Sequence, residues 1–167
     1  MSMRGRTLFV YFLAIVFVLG CSVVLHAEGI DDITAGAEAQ KKGDYDEAIN
    51  FYTKAIKSEE LKENLIIVYV RRGRCYEEKD MLTLAVEDYT KAISLEPTNA
   101  LHFTSRGIVY SKMKYWDRAI EDFTEAIKLN PGNMNAYKNR GIAYEQKGLK
   151  ELANQDFLKT KQLATEY

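Results

Sequence analysis

The sequence is short of the residues that build reactive centres: two cysteines, two histidines and one tryptophan in 167 residues. Cys21 lies in an apolar N-terminal segment, which leaves Cys75 without a partner and gives no basis for a disulfide framework. His26 and His102 stand alone, with no metal-ligand spacing around either. There is no Cys/His or Ser/His arrangement with supporting context, no phosphate-cradling glycine loop, and no pair of carboxylates set apart from solvated helix faces. Catalysis, a cofactor and a bound metal are therefore not expected. A basic surplus is missing as well. Lysine and arginine number 23 against 24 aspartates and glutamates, so the chain lacks the charge that a phosphate backbone demands, and no nucleic-acid partner is expected. Proline occurs only as Pro97 and Pro131, so proline forces a helix to stop at just two places.

Long apolar runs are also scarce, and the one present is N-terminal. Arg4 and Arg6 precede a run from Leu8 to Leu25 broken only by Gly20 and Ser22, and no acidic residue appears before Glu28. That arrangement is an export signal, which sets residues 1–27 apart from a domain over 28–167. Three fates are open to it. Cleavage after Ala27 fits the small residue that ends Leu25-His26-Ala27 and the polar Glu28-Gly29 that follows. Lipidation at Cys21 fits Val18-Leu19-Gly20-Cys21, which resembles the bacterial lipoprotein pattern, although Val23-Val24-Leu25 prolongs the apolar run. An uncleaved anchor fits a run that sits at the lower limit for spanning a bilayer. Each fate places the remaining chain outside the cytoplasm, in the periplasm or the extracellular space.

What the sequence has in abundance is repetition. The stretch Ala100–Asn133, ALHFTSRGIVYSKMKYWDRAIEDFTEAIKLNPGN, lies over Ile66–Asn99 and over Met134–Tyr167 by shifts of 34 residues without a gap. The copies share an aromatic (Tyr69, Phe103, Tyr137), an Arg-Gly pair (Arg72-Gly73, Arg106-Gly107, Arg140-Gly141) and a tyrosine three residues on (Tyr76, Tyr110, Tyr144). Their second halves share a small residue (Ala85, Ala119, Ala153) and an aromatic four residues later (Tyr89, Phe123, Phe157). The chain resembles the tetratricopeptide repeat (TPR) family, whose period is 34 with these residue types at these offsets. That resemblance implies an all-α, right-handed solenoid of four stacked helix-turn-helix units, at about 29–62, 66–99, 100–133 and 134–167, serving as a protein–protein interaction scaffold.

Within this frame the local signals are specific. Turns inside the units are expected at Gly43-Asp44-Tyr45-Asp46 and near Lys79-Asp80, Lys114-Tyr115 and Lys147-Gly148. At Glu96-Pro97-Thr98-Asn99 and Asn130-Pro131-Gly132-Asn133, proline ends one helix and asparagine caps the next. Gly36 precedes Gly73 by 37 residues instead of 34, which puts three extra residues in Glu59–Leu65 and suggests a first-unit helix that runs long and turns near Lys62–Asn64. Gly73, Gly107 and Gly141 fall mid-helix, where glycine costs about 0.5–1 kcal/mol relative to alanine, so close helix contact is implied there. Cys75, matched by Val109 and Ala143, reads as a small buried helix residue. Lys159-Thr160-Lys161 replaces the Lys91-Ala92-Ile93 and Glu125-Ala126-Ile127 of earlier units, the mark of a terminal cap.

Arg72, Arg106 and Arg140 repeat as an anion-binding ladder would, but Asp88, Asp122 and Asp156 follow them in turn by 16 residues. The first unit lacks both columns, having Ala35 and Phe51. Pairing across units would set Arg72 against Phe51 and strand Asp156, whereas pairing within units strands nothing. Three ion pairs that clip the two helices of a unit together are therefore expected. The aromatics likewise occupy the repeat's own packing positions and read as core.

The resemblance further implies that the first helix of each unit lines a groove for an extended or helical peptide. By register that face comprises Ile30, Ile33, Ala37 and Lys41, then Ile67, Val70, Arg74 and Glu78, then Leu101, Thr104, Ile108 and Lys112, and finally Asn135, Lys138, Ile142 and Gln146. The family's carboxylate clamp is not matched, because Ile33, Ala37, Arg71, Leu101 and Ser105 occupy its positions. Val70, Leu101, Ile108 and Ile142 would form one apolar strip if open to solvent. The expected partner is a peptide segment of an envelope or secreted protein; the alternative is a self-associating unit of the cell envelope, a homo-oligomer.

Overall fold

The computed structural model describes residues 31–58 and 65–165. Among these residues there are eight helices and no strand: α1 (31–42), α2 (Tyr45–Lys57), α3 (Leu65–Glu78), α4 (Leu82–Leu95), α5 (Ala100–Lys112), α6 (Trp116–Leu129), α7 (Met134–Gln146) and α8 (Lys150–Thr165). The export segment 1–27 with Cys21, the groove position Ile30 and the expected turn at Lys62–Asn64 lie outside the described residues. No helix of the described residues is long and apolar enough to cross a membrane.

The helices stop where the backbone chemistry requires it. Gly43, Asp80, Lys114 and Gly148 hold the same place in the four units, and all four adopt left-handed backbone, with φ of 82°, 58°, 61° and 76°. The residue after each donates its N–H five residues back, as Met81 does to the Tyr76 carbonyl at 2.8 Å and Tyr115 to the Tyr110 carbonyl at 2.9 Å. This is the Schellman ending, which satisfies carbonyls that the helix terminus would leave bare. At the joints between units, Asn99 accepts from the Leu101 N–H at 3.0 Å and Asn133 from the Ala136 N–H at 3.1 Å. Both are the caps that the sequence signals. The helix of the first unit differs from expectation, since α2 ends at Lys57 without running long. Ser58 takes extended backbone, and its hydroxyl and N–H turn back onto the Ala55 carbonyl, ending the helix without proline.

Each helix packs on its chain neighbours, so the units stack in sequence order as an all-α solenoid. The core is divided accordingly, because each cluster straddles a junction between units. Ala48, Tyr52 and Ala55 of α2 meet Val68 and Cys75 of α3; Ala85 and Tyr89 of α4 meet Val109 of α5; Ala119, Phe123 and Ala126 of α6 meet Ala136 of α7. Stability in such an array is a sum over neighbours. Burial raises the Cys75 thiol to about 11, so it is an inert packing residue.

The last helix is less polar than its sequence suggested. Lys161 is exposed where Ile93 and Ile127 of earlier units are half-buried, as a cap requires. Leu158, however, is 64% exposed and Leu152 is 41% exposed. The end of the described array is thus only partly solvated by polar side chains.

Close approach accounts for the mid-helix glycines. A Cβ on Gly107 would stand 2.7 Å from the Phe123 ring, whereas one on Gly73 would stand 3.2 Å from the Asp88 Cβ and 3.3 Å from the Tyr89 ring. Gly107→Ala should therefore destabilise the protein by about 1–3 kcal/mol in spite of alanine's better helix propensity. Gly73→Ala should stay within about 1 kcal/mol of the parent. Urea denaturation of the two variants side by side checks this, and equal losses would refute the steric account.

Candidate functional site

Two sets of side chains separate once the helices are in place: those consumed in holding the units together and those left facing solvent. The arginine column belongs to the first set. Arg106 donates through Nε to Asp122 at 2.9 Å and through Nη2 to the other carboxylate oxygen at 2.8 Å. Arg72 and Asp88 repeat this two-pronged contact, as do Arg140 and Asp156. Pairing is within the unit in all three cases. Burial pushes the Asp88 and Asp122 carboxyls upward against the pull of their arginines. Hydrogen bonding to the partner carboxylate holds Arg106 and Arg140 above the ordinary arginine value.

Each guanidinium also does something that the sequence reading missed. Its Nη1 donates to a threonine of the preceding unit: Arg72 to Thr53 at 2.9 Å, Arg106 to Thr90 at 3.0 Å and Arg140 to Thr124 at 3.0 Å. The signal was present, because Thr90 and Thr124 are 34 residues apart and Thr53 precedes Thr90 by the 37 that the first unit's insertion demands. Two rings of its own helix flank each guanidinium, Phe103 and Tyr110 for Arg106, Tyr69 and Tyr76 for Arg72, Tyr137 and Tyr144 for Arg140. With both faces and most donors engaged, none of these arginines is offered to a ligand.

The second set lies on the face of the first helices. α5 and α7 pack directly on each other, which puts the first helices on the inner side of the stack. On that face Leu101 is 65% exposed, Ile67 45% and Ile142 37%, with Arg74, Lys112, Asn135 and Lys138 also exposed. Lys112 is engaged with Glu77 at 2.7 Å. Of the expected groove residues, Thr104 is buried and Val70 and Ile108 are half-buried. Thr104 donates to the Ala100 carbonyl at 2.9 Å and accepts from the Asn133 amide at 2.9 Å. Ile108 packs on the Ala100–Phe123–Ala136 cluster and Val70 on the Ala85–Tyr89–Val109 cluster. The physical reason is the approach of neighbouring first helices, which covers Thr104 and part of Val70 and Ile108. The continuous strip from Val70 to Ile142 is therefore corrected to separate exposed apolar residues.

Two clefts open on the solenoid. One, of about 310 Å³, lies between α1 and α3 and is lined by Ala37, Gln40, Lys41, Tyr45, Arg71, Arg74 and Glu78. The other, of about 460 Å³, lies at the turns of the third and fourth units around Lys114, Tyr115 and Trp116. Its only carboxylate, Asp117, is already paired with Lys147, and Arg118 lies over the Tyr110 and Tyr115 rings. His102, half a candidate ligand at most, is buried against Glu96 at 2.8 Å. No group of three His, Cys, Asp or Glu able to hold a metal is found among the described residues.

Comparison with known proteins agrees with this architecture. A tetratricopeptide repeat model matches residues 34–60 and 66–99, and a TPR repeat model matches residues 115–148; together they cover more than half of the chain. The chain belongs to the tetratricopeptide repeat family. Protein unc-45 homolog B of Danio rerio is 38% identical over 80 residues, which are 47% of this chain and 8% of that protein, so the chain spans only a small part of that curated relative. The second TPR of Spaghetti (RPAP3), solved bound to the HSP90 peptide SRMEEVD, is 30% identical with a TM-score of 0.58, over 60% of this chain and 93% of the other. MamA 41-end from Desulfovibrio magneticus RS-1 has a TM-score of 0.77 at 19% identity, over 83% of this chain and 77% of the other, a likeness of fold. A TPR fold of this kind is a protein–protein interaction scaffold.

Two outcomes test the division between stapling and open residues. Arg106→Met strands the buried Asp122 and should cost about 3–5 kcal/mol, whereas Thr90→Val removes one exposed bond from the guanidinium between units and should cost about 1 kcal/mol. Exchanging the charges as Arg106→Glu with Asp122→Arg should recover part of the loss in a double-mutant cycle; strict additivity would mean that the pair carries no coupling. On the inner face, Leu101→Glu should leave the melt within about 0.5 kcal/mol of the parent, while Ile108→Glu should cost about 2 kcal/mol or more because it drives a charge into a packed seam. Thermal melts followed by circular dichroism read both, and a harmless Ile108→Glu would reopen the strip.

Proposed function

We propose that this protein is an exported adaptor whose inner face holds a peptide segment of an envelope or secreted protein. The observation that carries this reading is the exposure of Leu101, Ile67 and Ile142 on three successive first helices. Export is supported by the sequence of residues 1–27. Burying two or three such side chains offers roughly 1.5–3 kcal/mol each before ordering costs, which suits a micromolar, exchangeable contact near −8 kcal/mol once rim charges contribute. Binding is the whole activity in this reading. The RPAP3 repeat, solved bound to an HSP90 peptide, is a precedent for a TPR domain that holds a peptide.

Self-association is the second reading, favoured by one observation: Leu152 and Leu158 on α8 leave an apolar end to the described stack. The two readings part in one experiment. A photo-crosslinking residue is introduced at Leu101, at Leu158 and at the outward-facing Glu121 in the native host. The adaptor predicts a distinct heterologous adduct from position 101 alone. Homodimeric adducts from position 158, together with a mass that grows with concentration in light scattering, would replace the adaptor with a self-assembling unit. Identical adducts from 101 and 121 would show that the inner face is not a site.

A further inference from the structure

We infer that the cleft between α1 and α3 selects partner segments carrying paired acidic side chains next to an apolar residue, an inference that rests on the inner face being a peptide-binding surface. Lys41 approaches from the end of α1, and Arg71 and Arg74 from α3, against the single carboxylate of Glu78. None of the ion pairs among the described residues includes Lys41, Arg71 or Arg74. This is unlike the stapling arginines, each of which is tied to an aspartate. The cleft therefore carries uncompensated positive charge in a chain whose net charge is −1.

The cations are placed and not merely present. Arg71 stands against the Tyr52 phenol. That phenol donates its own proton to Gln40 Oε1 at 2.9 Å, and its ring fills the space above Gly36. The groups beside the Arg71 guanidinium are thus neutral and leave its charge unanswered. A planar guanidinium without a carboxylate partner favours the two oxygens of one supplied by a ligand. Along α3, Ile67, Arg71, Arg74 and Glu78 follow one another at spacings of four, three and four, which is one stripe of the helix. The stripe grades from an exposed apolar residue through two cations to an anion. A bound segment would lay an apolar side chain near Ile67 and Leu101 and its carboxylates over Arg71, Arg74 and Lys41. Glu78 repels acid at the far end, so the stripe also sets which way the segment runs.

The test uses the full chain in mild detergent and fluorescent ten-residue peptides blocked at both ends. One peptide carries Asp-Glu beside Leu-Ile, and a second replaces the acids with Asn-Gln. The acidic peptide should bind about tenfold tighter at low salt, with an advantage that shrinks as salt is raised. Arg74→Gln and Lys41→Gln, both exposed, should abolish the advantage by weakening the acidic peptide alone, and Lys91→Gln, exposed on α4 away from the inner face, should alter neither peptide's affinity. Equal affinities for the two peptides overturn the acidic selectivity; if both are then weakened together by Leu101→Glu, the peptide-binding face itself stands. A neutral peptide with a free C-terminus that matches the blocked acidic one assigns the cleft to chain ends and likewise overturns the inference. Absence of binding by either peptide removes both readings together.

Discussion

The structure depends on one guanidinium per junction, used three ways at once. Arg106 clips α5 to α6 through Asp122, reaches back to α4 through Thr90, and is flanked by Phe103 and Tyr110. A lysine would not substitute, because the contact needs a planar fork with donors at three corners and two open faces. The residues that repeat most strictly in this sequence are the parts of this assembly: the aromatic three before the arginine, the tyrosine four after it, the aspartate sixteen on, and the threonine of the previous unit. Glycine follows the arginine because the ring four residues past the conserved alanine presses on its Cα, as Phe123 does on Gly107. The clip and the packing contact are consecutive residues of one helix, so neither can slip without the other.

A device that joins neighbours leaves its loose ends at the termini. The first unit has no arginine, with Ala35 in its place, yet it supplies Thr53 to Arg72. The fourth has Arg140 and Asp156 but carries Leu158 where Thr90 and Thr124 stand. The first unit can only receive a clip from its successor, and the fourth cannot receive one. The polarity of the array is thus written in which half of the contact each end retains. The middle junction has its own variant: Asp46 with Lys79 and Asp117 with Lys147 tie the first and last junctions at the turns, whereas Thr83 and Met113 hold those positions between the second and third units. There Lys112 pairs with Glu77 on the inner side instead.

The sequence carried the fold and the intra-unit pairs because periodicity exposes any constraint that every copy obeys. Arg and Asp appear and vanish together, and three copies suffice to reveal it. The threonine column was equally periodic, yet its role depends on which unit it faces, and a period cannot tell a contact within a copy from one between copies. Val70, Thr104 and Ile108 were misplaced for a related reason. Register puts them on the inner face, but how far neighbouring first helices close over that face depends on the joint between units, where Asn133 reaches Thr104 in one junction and Asn99 turns to Glu96 in the previous one.

The division between used and unused charge then bears on function. Three arginines of the same chain, Arg72, Arg106 and Arg140, are bound on every side, and a ligand competing for them would have to strand a buried aspartate, an uphill exchange of about 3–5 kcal/mol. Arg71 and Arg74, one residue before and two after Arg72, sit on the same helix with no carboxylate partner. One or two helical positions therefore separate an arginine whose charge is answered by an aspartate from arginines whose charge is not. Substitutions at the first kind act on folding, and in the proposed reading substitutions at the second act on recognition. Because the stapling arginines keep the first helices in fixed register, the free cations of α3 and the exposed side chains of α5 and α7 are held at constant separation, and a flexible segment meets a rigid row of contacts. The ordering cost of binding then falls on the partner.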